Sequence, residues 1–244
     1  MNLEYAHHSN LSFGETTISD VILLNILKSN NPNIFIRQTK QDEESEFGTD
    51  WVWWIGSSKL GWVCFAVQAK KYYTNDNNYK TINHQVLVNN IKTSQSLILE
   101  AHASAIGAVP IYALYNYVLD KNFDLGSQNL NYSKGRYGVT VTSLNTIKKA
   151  VKTYGGRKFK SLHDDPSTFP LPDLIKLTKI FLNQNNTNGY KYSELLNSNT
   201  KIHQKLPENL GLMPKSGFVF MNRDLKFEQP TFAKRALVIN IDKD

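Results

Sequence analysis

The sequence predicts one α/β domain with a mixed central β-sheet flanked by helices. Three observations carry this. The element order read along the chain is helix, strand, hairpin, helix, strand, strand. The stretch Trp62–Tyr73, WVCFAVQAKKYY, puts Val63, Phe65, Val67 and Ala69 on one face and Trp62, Cys64 and Ala66 on the other. Both faces are apolar, as in a strand covered on both sides. Finally, 244 residues with 41% apolar and 20% charged side chains can bury a sizeable core.

Taken in order, Glu15–Leu27 (ETTISDVILLNIL) is a helix with apolar residues at Ile18, Val21, Ile22, Leu24, Ile26 and Leu27. A short strand, NIFIRQTK, and an acidic turn, QDEESEFGTD, follow. WVWWIG and GWVCFAVQAK flank the polar turn SSKL and read as a β-hairpin. Tyr72–Asn83, rich in Asn, Tyr and Lys, is a loop. From His84 to about Ala105 a helix is expected, with Val88, Ile91, Ile98 and Ala105 on one side. After the Gly107 break come two strands, VPIYALYNY and YGVTVTS. LNTIKKAVKTY is a helix closed by Gly155 and Gly156. HDDPSTFPLP is a loop, and DLIKLTKIFL a helix with Pro172 near its start. A short helix near Tyr192–Leu196 and a final strand, AKRALVINID, complete the reading.

Several classes of function are excluded or disfavoured. No run of 18 apolar residues suggests a membrane span. MNLEYAHHSN lacks the basic and apolar regions of a secretory signal. One cysteine, Cys64, rules out an internal disulfide framework and a zinc site built on several cysteines, and fits a reducing cytoplasm. HExxH, GxxxxGK[ST] and GxSxG motifs are absent. Of the six histidines, His7 and His8 sit near the terminus. His84 and His102 stand eighteen residues apart on the expected helix, and His163 with Asp164 and Asp165 reads as a turn.

A net charge of +7 suits a polyanionic partner. Leu125–His163 holds no acid but contains Lys134, Arg136, Lys148, Lys149, Lys152, Arg157, Lys158 and Lys160, interleaved with Tyr132, Tyr137, Tyr154 and Phe159. It is either a solvated basic face or a phosphate-binding surface.

The chemistry concentrates at the end of the WVCFAVQAKK strand. Gln68 and Lys70 share a face, about 7 Å apart, and a paired hairpin brings Asp50 beside them. A carboxylate and an amide oxygen can ligate a hard cation, and a lysine can orient water or offset developing charge. Glu15 lies on the stripe Glu15, Ile18, Ile22, Ile26 and points inward, unless SFGE (Ser12–Glu15) forms a capping box. Gln95 interrupts an apolar stripe, as a core amide or as a further pocket residue. Trp51, Trp53 and Trp54 are core packing or base-stacking platforms.

GTD-WVWWI followed by WVCFAVQAKK resembles the core of the PD-(D/E)xK, or restriction-endonuclease-like, nucleases. The closer likeness is to a prokaryotic group with the pattern E…TGxDWxWW…QAK, related to nuclease domains of anti-phage defence systems. TSQSLILEAHA and PIYALYN resemble that group's second helix and following strand, so the likeness covers about residues 14–116. It implies a nuclease core over about residues 12–120, with a basic and C-terminal elaboration from about 121 to 244. The catalytic positions fall on Glu15, Asp50, Gln68 and Lys70, with Asp50, Gln68 and Glu15 holding Mg²⁺ or Mn²⁺. Glu44, before the Gly48–Thr49 turn, and Gln95 are supporting residues. Most of the superfamily has Asp or Glu where Gln68 stands; the closer group uses Gln. Lys71, Lys148, Lys149, Lys152, Arg157, Lys158 and Lys160 are the expected nucleic-acid contacts, with DNA the expected substrate. A defence-system protein is an expected partner, and cutting both strands would favour a dimer. The alternative is an inactive nucleic-acid-binding or protein-interaction module on the same fold.

Overall fold

A computed structural model describes residues 13–38, 49–88, 90–116, 138–184, 195–207, 210, 218–220 and 235–242. Helix α1 (Glu15–Lys28) leads into strand β1 (Ile34–Gln38), then the hairpin of β2 (Trp51–Ser57) and β3 (Gly61–Lys71). Two 3₁₀ turns, Thr74–Asp76 and Lys80–Asn83, precede a small hairpin of β4 (Gln85–Val88) and β5 (Ile91–Ser94). Then come α2 (Gln95–Ile106), β6 (Val109–Tyr115), β7 (Val139–Ser143), α3 (Leu144–Lys152), α4 (Phe159–His163), β8 (Thr168–Pro170) and α5 (Leu171–Gln184). Strands β9 (Phe218–Phe220) and β10 (Arg235–Asn240) complete the order.

Among the described residues, eight strands form one mixed sheet in the order β8-β7-β6-β3-β2-β10-β1-β9. β3 pairs antiparallel with β2 and parallel with β6, the arrangement expected of a strand reached by a crossover through α2. The sheet crosses the expected boundary near residue 120, because β10 lies between β1 and β2.

Alternation along β3 builds two cores. Val63, Phe65, Val67 and Ala69 join Ile18 and Leu23 of α1 and Leu174, Leu177 and Phe181 of α5. On the opposite face Ala66 meets Leu99 of α2, Ile147 of α3 and Phe159 and Leu162 of α4. Further along that face, Trp62 and Cys64 pack with Val52, Trp54 and Val238. Each fully buried aliphatic side chain contributes about 1.5–3 kcal/mol, so a strand buried on both faces is the anchor of the fold.

Buried polar contacts fix α1 on the sheet. Arg235, at the start of β10 and almost wholly buried, pairs with Asp20 of α1 and lies over the Trp51 ring. Ser19 shares a hydrogen bond of 2.8 Å with the Tyr115 hydroxyl and accepts one from Trp51 Nε1. A strand from the C-terminal part of the chain therefore helps position Glu15, the first residue of α1.

Three expectations are corrected. The helix expected from His84 is a β-hairpin followed by α2. Its β-branched Val86, Ile91 and Thr93 suit paired strands, Asn90 takes φ 64°, and Ile91 is exposed rather than part of a buried stripe. His84 is consequently not helical, while His102 is. The loop HDDPSTFPLP begins inside α4 and contains β8, which pairs with β7. Gly155 and Gly156 follow α3 by several residues, and a Cβ at Gly156 would meet the Ala150 carbonyl oxygen at 2.5 Å. The short helix expected at 192–196 lies largely outside the described residues.

Candidate active site at the end of β3

The hairpin register brings the predicted residues together. Trp51 is opposite Val67, and the Asp50 amide donates to the Val67 carbonyl at 3.0 Å, so Asp50 stands beside Gln68. Gln68 Nε2 donates to Asp50 Oδ2, and the Ala69 amide donates to the same oxygen at 2.8 Å. Lys70, 3% exposed, donates through Nζ to Gln95 Oε1 at 2.8 Å and lies 3.8 Å from Glu15 Oε2. Gln95 reaches it from the first position of α2.

Glu15 does not serve the capping role that SFGE suggested. Gly14 is the N-cap of α1, and Ser12 lies outside the described residues. The Glu15 carboxylate faces β3 instead, where Oε1 accepts from the Lys71 amide at 3.1 Å and from Thr81 Oγ1 at 2.8 Å. Its position in the first turn of a helix is favourable for a negative charge. Glu15, Asp50, Gln68, Lys70 and Gln95 thus converge from α1, the approach to β2, β3 and α2. Glu44 lies outside the described residues.

Burial sets the electrostatics. Desolvation pushes the Asp50 carboxyl above its ordinary range, and the Glu15 charge adds to this. The Ala69 amide and the Lys70 charge oppose it without cancelling it. Burial lowers the Lys71 amine, opposed by Glu15. Lys71 Nζ donates to the Phe13 carbonyl at 2.8 Å and sits 5.2 Å from the centre of the Tyr73 ring. The expected phosphate contact at Lys71 is therefore half-buried and tied to its own chain.

The donor set fits a hard cation. Gln68 Oε1 is buried with no hydrogen-bond partner among the described residues, and so is the hydroxyl of Tyr112, opposite Gln68 in the β3–β6 register. Desolvation raises the Tyr112 hydroxyl and the Asp50 charge raises it further. Buried polar atoms without partners are rare and call for a water or an ion. Among the described residues no three His, Cys, Asp or Glu side chains form a group. The set is instead two carboxylates, Glu15 and Asp50, with one neutral oxygen from Gln68.

Tyr112 and Thr81 were not legible as site residues. Thr81 lies in a polar stretch without periodicity, and Tyr112 is one aromatic in an apolar strand. Only strand pairing and chain folding bring them to the site.

The basic residues divide. Lys148 donates to both Glu100 oxygens at 2.7 and 2.8 Å, and Lys160 pairs with Asp164. The acid-free window is thus partly neutralised by acids on either side of it. Lys148, Lys149 and Lys152 nevertheless line a groove of about 550 Å³ with Asn145 and Asn197. Lys158 is exposed, and Arg157 accepts a backbone hydrogen bond from Tyr79 at 3.1 Å. Lys134 and Arg136 lie outside the described residues.

Other candidates are structural. His163 is buried and stacked on Phe159, with Nε2 at 2.9 Å from Thr140 Oγ1 and Nδ1 at 2.9 Å from the Phe159 carbonyl oxygen. Burial holds its pKa down at about 4, so it is a satisfied core histidine. Trp51, Trp53 and Trp54 are buried core residues whose faces bases cannot reach. Among the described residues no helix is long and apolar enough to cross a membrane.

The chain belongs to the DUF6615 family, a family of unknown function, whose model matches residues 1–243. No curated protein and no solved structure matches the chain.

Proposed function

We propose that this protein is a metal-dependent nuclease that hydrolyses phosphodiester bonds, with DNA its substrate, acting in the cytoplasm in a prokaryotic anti-phage defence or restriction setting. The carrying observation is the convergence of Glu15, Asp50, Gln68 and Lys70 at the end of β3, with Gln95 holding Lys70. The resemblance to PD-(D/E)xK nucleases supplies the reaction class and the setting.

Asp50, Gln68 Oε1 and Glu15 would hold Mg²⁺ or Mn²⁺. Bound there, the ion would acidify a water molecule and offset the charge that builds on the phosphate. Lys70 has three N–H donors and gives one to Gln95, which leaves donors to hold the attacking water against phosphorus. Burial of the amine strengthens that interaction by excluding competing water. Thr81 and the Lys71 amide fix the Glu15 carboxylate so that it need not reorganise.

One observation favours a second reading, a binding module without catalysis. Gln68 already satisfies one Asp50 oxygen, and its own oxygen carries no charge. The two readings separate in one gel: plasmid, linear duplex, single-stranded DNA and RNA incubated with Mg²⁺ or Mn²⁺, wild type beside Lys70→Ala. The nuclease reading expects cutting that needs the ion and is lost in the variant. Binding without cutting under every condition favours the module.

A further inference from the structure

Gln68 raises a question that an acid in its place would not. A carboxylate offers an oxygen whichever way it turns, whereas an amide turned by half a rotation exchanges its oxygen for an NH₂ group. Gln68 Nε2 donates to Asp50 Oδ2, so the NH₂ end faces Asp50 and Oε1 faces away from that bond. A cation shared by Asp50 and Gln68 needs the opposite orientation, with Oε1 toward Asp50. The NH₂ group then takes the place that Oε1 holds now, and Gln68 is only 1% exposed. An NH₂ group buried there without an acceptor would oppose the turn.

Tyr112 is the polar neighbour on the other side of Gln68. It lies directly opposite Gln68 in the β3–β6 register, while Asp50 flanks Gln68 from the β2 side, so the three residues form one row on one face of the sheet. Tyr112 is wholly buried in the cluster that holds Ala66, Leu99, Leu114 and Ile147, which leaves its hydroxyl as the part that needs a partner. Neither that hydroxyl nor Gln68 Oε1 has a hydrogen-bond partner among the described residues. Two such atoms on neighbouring strands are the setting in which a buried water joins a pair.

A tyrosine hydroxyl and a water each donate and accept. One link therefore serves the amide oxygen in the first orientation and the NH₂ group in the second. A side chain that could only donate would serve the first alone. We propose that Tyr112 is the positioning residue for Gln68: through a buried water it satisfies whichever end of the amide faces away from Asp50, and so lets the oxygen turn toward a cation held with Asp50 without stranding the NH₂ group. The turn rests on the nuclease reading for its purpose, while the link between Tyr112 and Gln68 is measurable with no cation present.

The test uses the full chain in two double-mutant cycles. The first is read by thermal melts in EDTA, with Tyr112→Phe, Gln68→Met and both together. Removing one partner strands the other, so the double variant is expected to melt above the sum of the single losses by roughly 2 °C or more. Additive losses, or a Tyr112→Phe chain as stable as wild type, would overturn the link. The second is read by calorimetric titration with Mn²⁺, with Tyr112→Phe in the wild-type and in the Gln68→Glu background. Tyr112→Phe is expected to weaken Mn²⁺ binding by about ten-fold or more beside Gln68. In the Gln68→Glu background, where there is no NH₂ group to satisfy, the change should stay within about three-fold. Equal losses in both backgrounds would show that the hydroxyl acts through packing and would overturn the positioning role. Coupling in EDTA with no Mn²⁺ binding by wild type would instead sink the nuclease reading, and the turn with it, and leave the hold of Tyr112 on the amide standing.

Discussion

Asp50→Asn should stabilise the protein while removing its activity. The carboxylate is held above its ordinary pKa of 3.8, chiefly by desolvation, so the folded chain favours the neutral form. Asn keeps the shape and offers a carbonyl oxygen to the two donors that meet Asp50 Oδ2, Gln68 Nε2 and the Ala69 amide. Each unit of upward shift costs the charged form about 1.4 kcal/mol of folding stability at neutral pH. In a chain of 244 residues, that corresponds to roughly 3–6 °C in Tm. The sign follows from proton binding. Between 3.8 and the raised value the folded state binds more protons than the unfolded state, so wild-type stability falls as pH rises through that window. The advantage of Asn should therefore be absent below pH 3.8, grow as pH rises through the folded value, and then level off. Thermal melts of both proteins from acid to neutral pH in EDTA measure it. A lower Tm for Asp50→Asn at neutral pH, or a difference that does not change with pH, would show that burial does not disfavour the Asp50 charge. Added Mg²⁺ should raise the wild-type Tm and leave that of the variant unmoved.

Gln68→Glu removes the amide donor to Asp50 and sets a second carboxylate against it. The lost hydrogen bond to a charged group, about 1.5–3 kcal/mol, should lower Tm in EDTA by roughly 3–12 °C, with a larger recovery on adding Mg²⁺ than wild type shows. An unchanged metal-free Tm would place the two side chains apart. Lys149→Glu with Lys152→Glu, in the groove shared with Asn145 and Asn197, should weaken duplex binding and make the slope of log K against log salt shallower by about 2. Hydrolysis of a small phosphodiester should be unaffected, and an unchanged salt slope would remove the groove from the nucleic-acid contact.

Elements whose burial pattern is local could be read directly from the order of their residues. β3 is apolar on both faces and is buried on both, so its place inside a sheet was readable from alternation alone. The hairpin with β2 was equally legible, and with it the meeting of Asp50, Gln68 and Lys70, because a short polar turn constrains which residues pair. Glu15 was legible as a residue on an inward stripe, but two roles were open to it. The tertiary structure chose between them by bringing the Lys71 amide and Thr81 to its carboxylate. The stretch from His84 misled because a short apolar period fits a helix or a hairpin equally well. Its environment, uncovered beyond the main sheet, decided the outcome. Non-local contacts fixed the rest: Tyr112 reached the site through β3–β6 register, and acids outside the basic window paired with Lys148 and Lys160. Arg235, more than two hundred residues along the chain, came to anchor Asp20 of α1. Local pattern encodes which face of an element is apolar. Which elements share that face, and which charges meet there, follows only from packing the whole chain into one sheet with two covered sides.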